Sequence, residues 1–179
     1  EGGVPLHNEV VLKVGRKRCT LSEVYSWLKV NGGVRIVIDA KESPTFVWSY
    51  IAKNYPDVID RFIPQAYDLS DIYLLQKLGY EDIYLTLYRY KSHKVWPAIE
   101  SLLNCESDIR ALVVQHKSDI LSAELSSALH LCGILLFVYT VNSSYRVEEL
   151  RSSFDVDGVY TDHLDVQISG NKIGKNQAD

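Results

Sequence analysis

The chain has 179 residues, a net charge of −4 and 46% hydrophobic residues, which suits one globular domain with a buried core. Its basic residues are dispersed, so we expect no nucleic-acid surface. No apolar run approaches the roughly 20 residues of a membrane-spanning helix. No signal peptide is visible either, so we expect a soluble protein whose compartment the sequence does not indicate. The three cysteines, Cys19, Cys105 and Cys132, show no CxxC or metal-like spacing and are expected to be free or buried thiols.

Short apolar runs alternate with amphipathic stretches of helical length along the chain. Val10–Val14 is predicted to be a short strand or extended arm, and Thr20 with Glu23 has the spacing of a capping box at a helix start. The six strands predicted after that helix are Val34–Ile38, Arg61–Ile63, Ile83–Leu87, Ala111–Val114, Leu135–Val141 and Gly158–Tyr160. The helices between them are predicted to begin at Ser43–Pro44, at Ser70 or Asp71, at Val95, at Ser122 and at Tyr145.

The strands are continuous apolar runs, which indicates burial on both faces of a parallel sheet. A (β/α)₈ barrel and an open doubly wound sheet both satisfy this pattern. No GxGxxG or P-loop motif follows any of the strands, so the nucleotide-binding doubly wound fold lacks its usual support. A complete barrel has eight strands. We therefore predict an α/β fold, an incomplete TIM-type (β/α) barrel of about six to seven βα units with parallel strands.

Polar side chains stand at the carboxyl ends of the predicted strands, where parallel α/β proteins form their sites. They are Asp39, Lys41, Gln65, Tyr67, Tyr88, Arg89, Gln115, His116, Thr140, Asn142, Thr161 and Asp162. Asp39 and Lys41 are two residues apart on one predicted strand, so their side chains should share a face. On that face a carboxylate can bind a divalent cation, and a lysine can bind a phosphate oxygen. Asn142 could instead cap the helix that follows it. His116, which ends a predicted strand, is an alternative candidate for an acid–base residue.

Several segments together resemble the C-terminal two-thirds of the glycerophosphodiester phosphodiesterase family, within the superfamily that includes phosphatidylinositol-specific phospholipase C. Thr20–Val24 is similar to the family's PTLEEVL helix start, Ile36–Lys41 to its xxxEIK strand, Phe137–Asn142 to its VxxWTVN strand, Asp157–Asp162 to its DGIxTD segment and Gly3–Asn8 to its DGxPVxxHD segment. The likeness runs from about Gly3 to Leu164.

The resemblance implies one barrel domain over residues 1–166 that lacks its first strands, followed by a flexible tail over residues 167–179. It implies that His7 acts in acid–base catalysis, that Asp39 binds Ca²⁺ or Mg²⁺, and that Lys41 contacts the phosphate in catalysis. The expected substrate contacts for a small phosphodiester or phosphate-like anion are Lys41, Gln65, Tyr67, Tyr139 and Asn142.

The family's front strands, which carry its HRG, EN and ExD segments, have no counterpart here, and Asp39 stands in place of Glu. One carboxylate does not hold a hard cation without several oxygen partners, so we expect the isolated chain to be inactive. The first hypothesis is a metal-dependent phosphodiester hydrolase whose front strands lie outside this sequence or come from another chain. The second is a catalytically dead relative that acts as a binding or self-association module. In the second, a homo-oligomer covers an open sheet edge. A third is an unrelated doubly wound domain that binds a small anion.

Overall fold

The computed structural model describes residues 19–105 and 109–162. Strands and helices alternate through these ranges. In chain order they are α1 (Leu21–Val30), β1 (Ile36–Ile38), α2 (Pro44–Asn54), a 3₁₀ helix (Pro56–Arg61), β2 (Phe62–Ala66), α3 (Leu69–Lys77), β3 (Tyr84–Thr86), α4 (Ser92–Leu103), β4 (Ala111–Gln115), α5 (Ala123–Leu131), β5 (Leu135–Tyr139), α6 (Ser144–Phe154) and β6 (Gly158–Val159). His7, the predicted strand Val10–Val14 and the predicted tail lie outside the described residues.

The six strands form one sheet in which every neighbouring pair is parallel and the order is sequential, β1-β2-β3-β4-β5-β6. A doubly wound sheet reverses its strand order at a switch point, and the described strands contain no such reversal. The sheet curls into a half-barrel, so the predicted incomplete α/β barrel is confirmed. β1 and β6 have one neighbour each within the described residues. A homo-oligomer that covers such an edge stays a prediction.

Side-chain caps mark the starts of α1, α3, α5 and α6. Thr20 and Glu23 form the predicted capping box of α1, since each side chain bonds the backbone of the other's residue. The predicted start of α3 at Ser70 or Asp71 is wrong, because Asp68 caps this helix together with Asp71. α4 was predicted to begin at Val95, but it begins three residues earlier, at Ser92. Ser143 caps α6, so Asn142 is not its cap.

Each strand presents alternate residues to two different environments, as the pleat of a β-strand requires. The convex face packs against the helices in the main core, which includes Leu28, Trp48, Ile51, Leu85, Leu112 and Leu136. The concave face carries a smaller apolar cluster of Ile63, Tyr84, Ala111 and Val113, with Val37, Phe137 and Tyr160 packed against it. Counting on by two residues from these concave-face positions leads to polar residues at the strand ends, which therefore face the hollow of the half-barrel.

Gly158 is required by the close approach of β6 to an aromatic ring on β5. A Cβ atom at this position would clash with the ring of Phe137. That ring lies 5.2 Å from the ring of Tyr84 and 6.5 Å from that of Tyr160, measured between centroids. The missing side chain thus lets a row of three aromatic rings line the concave face, and it brings Tyr160 over the hollow.

Cys105 and Cys132 form a disulfide, so the expectation that all three cysteines are thiols is wrong for these two. The bond joins the end of α4 to the end of α5, where the two Cα atoms lie 4.8 Å apart. The 27-residue separation matches no sequence motif, because only the packing of two successive helices brings the residues together. Cys19 is free and exposed.

The helices of the described residues are short. The longest, α4, has 12 residues, and none among those described is long and apolar enough to cross a membrane.

The disulfide should contribute measurably to stability. Replacing Cys105 and Cys132 together by Ser opens a loop of 27 residues. The chain-entropy model assigns such a loop about 3.5 kcal/mol of unfolding free energy at 25 °C. We expect urea unfolding of the oxidised proteins to show a loss of that order. Cys19→Ser is the control and should unfold like the parent chain. A double variant as stable as the parent would contradict the assignment.

Candidate functional site

A cleft of about 460 Å³ opens in the hollow of the half-barrel, at the carboxyl ends of the strands. Val37 and Val113 form an apolar part of its wall. The polar residues that line it are Asp39, Lys41, Gln65, Thr86, Tyr88, Tyr139, Thr140 and Tyr160. These residues come from five strands or the segments that follow them, so only the curl of the sequentially ordered sheet brings them together.

Asp39 is held by two neighbours at the end of β1. One of its carboxylate oxygens accepts a hydrogen bond of 2.5 Å from the Tyr67 hydroxyl, and the other lies 3.5 Å from the Lys41 ammonium. Burial, and then the hydrogen bond to Asp39, raises the pKa of Tyr67 far above its ordinary value. The phenol therefore stays protonated and continues to donate to the carboxylate. Asp39 and Lys41 follow β1 rather than lying within it, and both line the cleft.

Arg89 does not itself line the cleft, but it lies against Lys41 and Tyr88 at the mouth, which do, and three contacts fix it. The central carbon of its guanidinium is 3.8 Å from the centroid of the Tyr67 ring. One nitrogen donates to the Tyr88 hydroxyl and another donates to the Lys41 carbonyl, each at 3.0 Å. Asp39 balances the charge of Lys41, whereas no carboxylate of the described residues forms an ion pair with Arg89. The mouth therefore carries one uncompensated positive charge.

Gln65, Thr86 and Tyr160 form what we call the floor of the cleft, and Lys41, Tyr88 and Arg89 its rim. The Gln65 amide nitrogen donates to the Tyr160 hydroxyl oxygen at 3.1 Å. Burial raises the pKa of Tyr160 to about 12, so this phenol is neutral at physiological pH. The floor thus offers uncharged polar groups below a positively charged rim.

The structure brings six of the predicted residues to the cleft, namely Asp39, Lys41, Gln65, Tyr88, Tyr139 and Thr140. Tyr67 reaches it through its bond to Asp39. Their roles toward a substrate stay predictions. Thr86 was not predicted, although a threonine two residues before Tyr88 in an otherwise apolar strand is a usable signal.

Asn142 lies at the end of β5 but is not among the residues that line the cleft. Its amide nitrogen donates to the Asp162 carboxylate at 3.1 Å. Its amide oxygen accepts from the Thr161 hydroxyl at 3.1 Å and from the Asp162 backbone at 2.8 Å. Both polar atoms of this amide are thus engaged in tying the end of β5 to the end of β6.

His116 also lies outside the cleft lining. Its carbonyl accepts a hydrogen bond of 2.8 Å from Arg146. Burial, and then the nearby charges of Arg146 and Lys117, lowers the pKa of its imidazole. The geometry therefore gives His116 no contact with the cleft through which it would act as an acid or base there.

The described residues of the cleft do not fit a Ca²⁺ or Mg²⁺ site. Such cations take six or more oxygen ligands, several of them from carboxylates when the protein supplies the cage. Asp39 is the one carboxylate that lines the cleft within residues 19–105 and 109–162, and both its oxygens already have partners. Across the same residues, no group of three or more His, Cys, Asp or Glu could hold a metal ion.

No protein-family model and no curated protein matches the chain. Among solved structures, it is similar to a protein from Silicibacter pomeroyi DSS-3 described as "Putative glycerophosphoryl diester phosphodiesterase", with 13% sequence identity and a TM-score of 0.49. The similarity covers 68% of this chain and 44% of the other, so this chain spans less than half the length of that structure.

Removal of the Tyr67 hydroxyl should loosen the support of Asp39. In Tyr67→Phe the ring and its contact with Arg89 remain, but the carboxylate loses its donor. A hydrogen bond to a charged group contributes about 1.5 to 3 kcal/mol to stability. We expect a loss of that size in the free energy of unfolding measured in urea. The control is Tyr145→Phe on α6, whose side chain is 79% exposed and which should change nothing. Equal stability of the two variants would contradict the assigned bond.

Proposed function

We propose that the cleft binds the phosphate group of a small phosphate ester or phosphodiester, with Arg89 and Lys41 as its anion contacts. The observation that carries this proposal is the guanidinium of Arg89, which is held against the lining residues Lys41 and Tyr88 without a carboxylate partner among the described residues. A planar guanidinium matches the oxygens of a phosphate, and one that is already held in place loses little freedom when it binds.

The charges and the size of the cleft support the same ligand. Asp39, Lys41 and Arg89 sum to one positive charge at the rim, which favours an anion. Tyr88 on the rim and Tyr139 in the cleft lining add hydroxyl groups. The volume of about 460 Å³ falls in the range typical of sites for small organic molecules, roughly 300 to 1,000 Å³. A phosphate that carries a small organic group satisfies all three features.

We propose binding without turnover by the described residues, which is the binding-module hypothesis. Phosphodiester hydrolysis needs an activated nucleophile, an acid for the leaving group and a stabiliser for the developing charge. Arg89 and Lys41 suit the last role. Asp39 is already engaged with Tyr67 and Lys41, and no histidine lines the described cleft. His7, for which an acid–base role is expected, lies outside the described residues.

Charge removal at the rim should weaken binding. Titration calorimetry with ethyl phosphate should give about a tenfold loss of affinity for Arg89→Gln and for Lys41→Gln, because each removes a charge-assisted hydrogen bond. Affinity of the parent chain should also fall as sodium chloride is raised, since the rim is exposed to solvent. Two exposed residues outside the cleft give matched controls, Arg151→Gln on α6 and Lys53→Gln on α2.

Unchanged affinity in both rim variants would contradict the proposed site. Binding without turnover is tested separately with a glycerophosphodiester in the presence of Mg²⁺ or Ca²⁺. Hydrolysis that Asp39→Asn abolishes would replace the binding-module proposal by the hydrolase hypothesis.

A further inference from the structure

We propose that a second copy of this chain pairs with the free edge of β1, so that two chains form a dimer through antiparallel β1 strands. The proposal concerns the edge of the sheet and not the ligand of the cleft, so it is tested independently of the proposed function. Its consequence for the cleft is that Arg35 of one copy lies beside Asp39 of the other.

β1 is a partly exposed apolar strand at the edge of the sheet. Its three residues are all aliphatic and only half-buried, whereas all five residues of the neighbouring strand β2 are buried. Among the described residues, β1 pairs with β2 alone. Proteins commonly protect an exposed edge strand with a charged residue or a proline, and Ile36–Ile38 contains neither. An unprotected edge of this kind is a template for pairing with another strand.

The opposite edge of the described sheet is a poorer template. β6 consists of Gly158 and Val159 alone, and a glycine has no side chain to pack across an interface. Pairing β1 of one copy with β6 of the next would also be a head-to-tail contact, which leaves an edge free to add further chains. Of the two edges, β1 therefore offers the better surface, and pairing β1 with itself closes after two copies.

The sequence around β1 is complementary to itself when two copies run antiparallel and Val37 lies opposite Val37. Ile36 then faces Ile38 of the other copy, and Arg35 faces Asp39. Directly opposite residues have Cβ atoms about 4.5 to 5.5 Å apart, so aliphatic side chains pack and opposite charges attract. A parallel pairing in the same register would instead set Arg35 against Arg35 and Asp39 against Asp39. The charges therefore favour the antiparallel dimer.

Both charged groups retain the capacity to bond across this interface. The Arg35 side chain is 38% exposed, and two of its nitrogens are engaged, one with Asp82 and one with the Asp60 carbonyl at 3.1 Å. The guanidinium has a third nitrogen that can donate. The Asp39 side chain is 43% exposed, and each carboxylate oxygen can accept more than one hydrogen bond. The dimer contains two such charge pairs, one on either side of its two-fold axis.

Disulfide trapping in the full chain tests the register. The Cα atoms of directly opposite residues in an antiparallel pair lie about 4.5 to 5.5 Å apart, a distance that a disulfide spans. With the free thiol removed by Cys19→Ser, we expect Val37→Cys to form a covalent dimer on mild oxidation, read on a non-reducing gel. The matched control is Val34→Cys at an exposed valine, which should not cross-link. Position 34 of one copy lies about six residues, roughly 20 Å, along the pair from position 34 of the other.

Sedimentation velocity tests the contact without a cross-link. We expect the parent chain to change from a monomer of 20.3 kDa to a dimer as its concentration rises. Arg35→Glu places two carboxylates opposite each other and should weaken dimerisation about tenfold. Asp82→Asn is the control, since it removes the ion pair of Arg35 within the chain but not the pair between copies, and it should leave dimerisation unchanged.

A chain that stays monomeric up to millimolar concentration would overturn the proposal, and residues of the same chain or a different partner would then cover the edge. A dimer that Val34→Cys cross-links and Val37→Cys does not would overturn it as well, as would a dimer that is insensitive to Arg35→Glu. Should Val37→Cys fail to fold, an equimolar mixture of Val34→Cys and Ala40→Cys provides the same test, because these two positions face each other. The absence of a cross-link from that mixture overturns the proposal.

Discussion

The register of six parallel strands is the constraint on which the rest of the structure depends. Alternate residues of a strand share a face, so a slip of one residue exchanges everything that points into the hollow. With Ile38 opposite Pro64 and Gln65 opposite Tyr84, the inward series ends in polar side chains on each strand. A slip of β1 by one position would replace Asp39 by Ala40 on the concave face. The cleft, its charge and its floor all follow from this pairing.

Much of the architecture is predictable from local patterns. Continuous apolar runs with short intervening helices are sufficient to predict a parallel sheet, and the shortage of strands predicts an incomplete barrel. Alternation alone predicts that Asp39 and Lys41 point the same way, and both line the cleft. Helix starts are predicted where one capping residue dominates, as Thr20 does for α1. The prediction failed at α3, because Asp68, Ser70 and Asp71 are all residues that cap helices well.

The rest depends on contacts between residues that are distant in sequence. The place of Arg89 is set by Tyr67 from another strand and by the Lys41 carbonyl, and no local pattern encodes either contact. The pairing of Cys105 with Cys132 likewise follows from the packing of α4 beside α5. Asn142 had two plausible local roles. Its engagement by Thr161 and Asp162 became visible only once β6 was paired with β5.

The central claim is that an anion binds at the carboxyl ends of the strands. Arginines also stand at or near the amino ends, where Arg35 forms an ion pair with Asp82 and Arg61 donates to backbone carbonyls. An amide NMR titration with ethyl phosphate separates the two ends directly. We expect shifts confined to the segments around Asp39–Lys41 and Tyr88–Arg89. Shifts centred instead on Arg35 and Arg61 would contradict it.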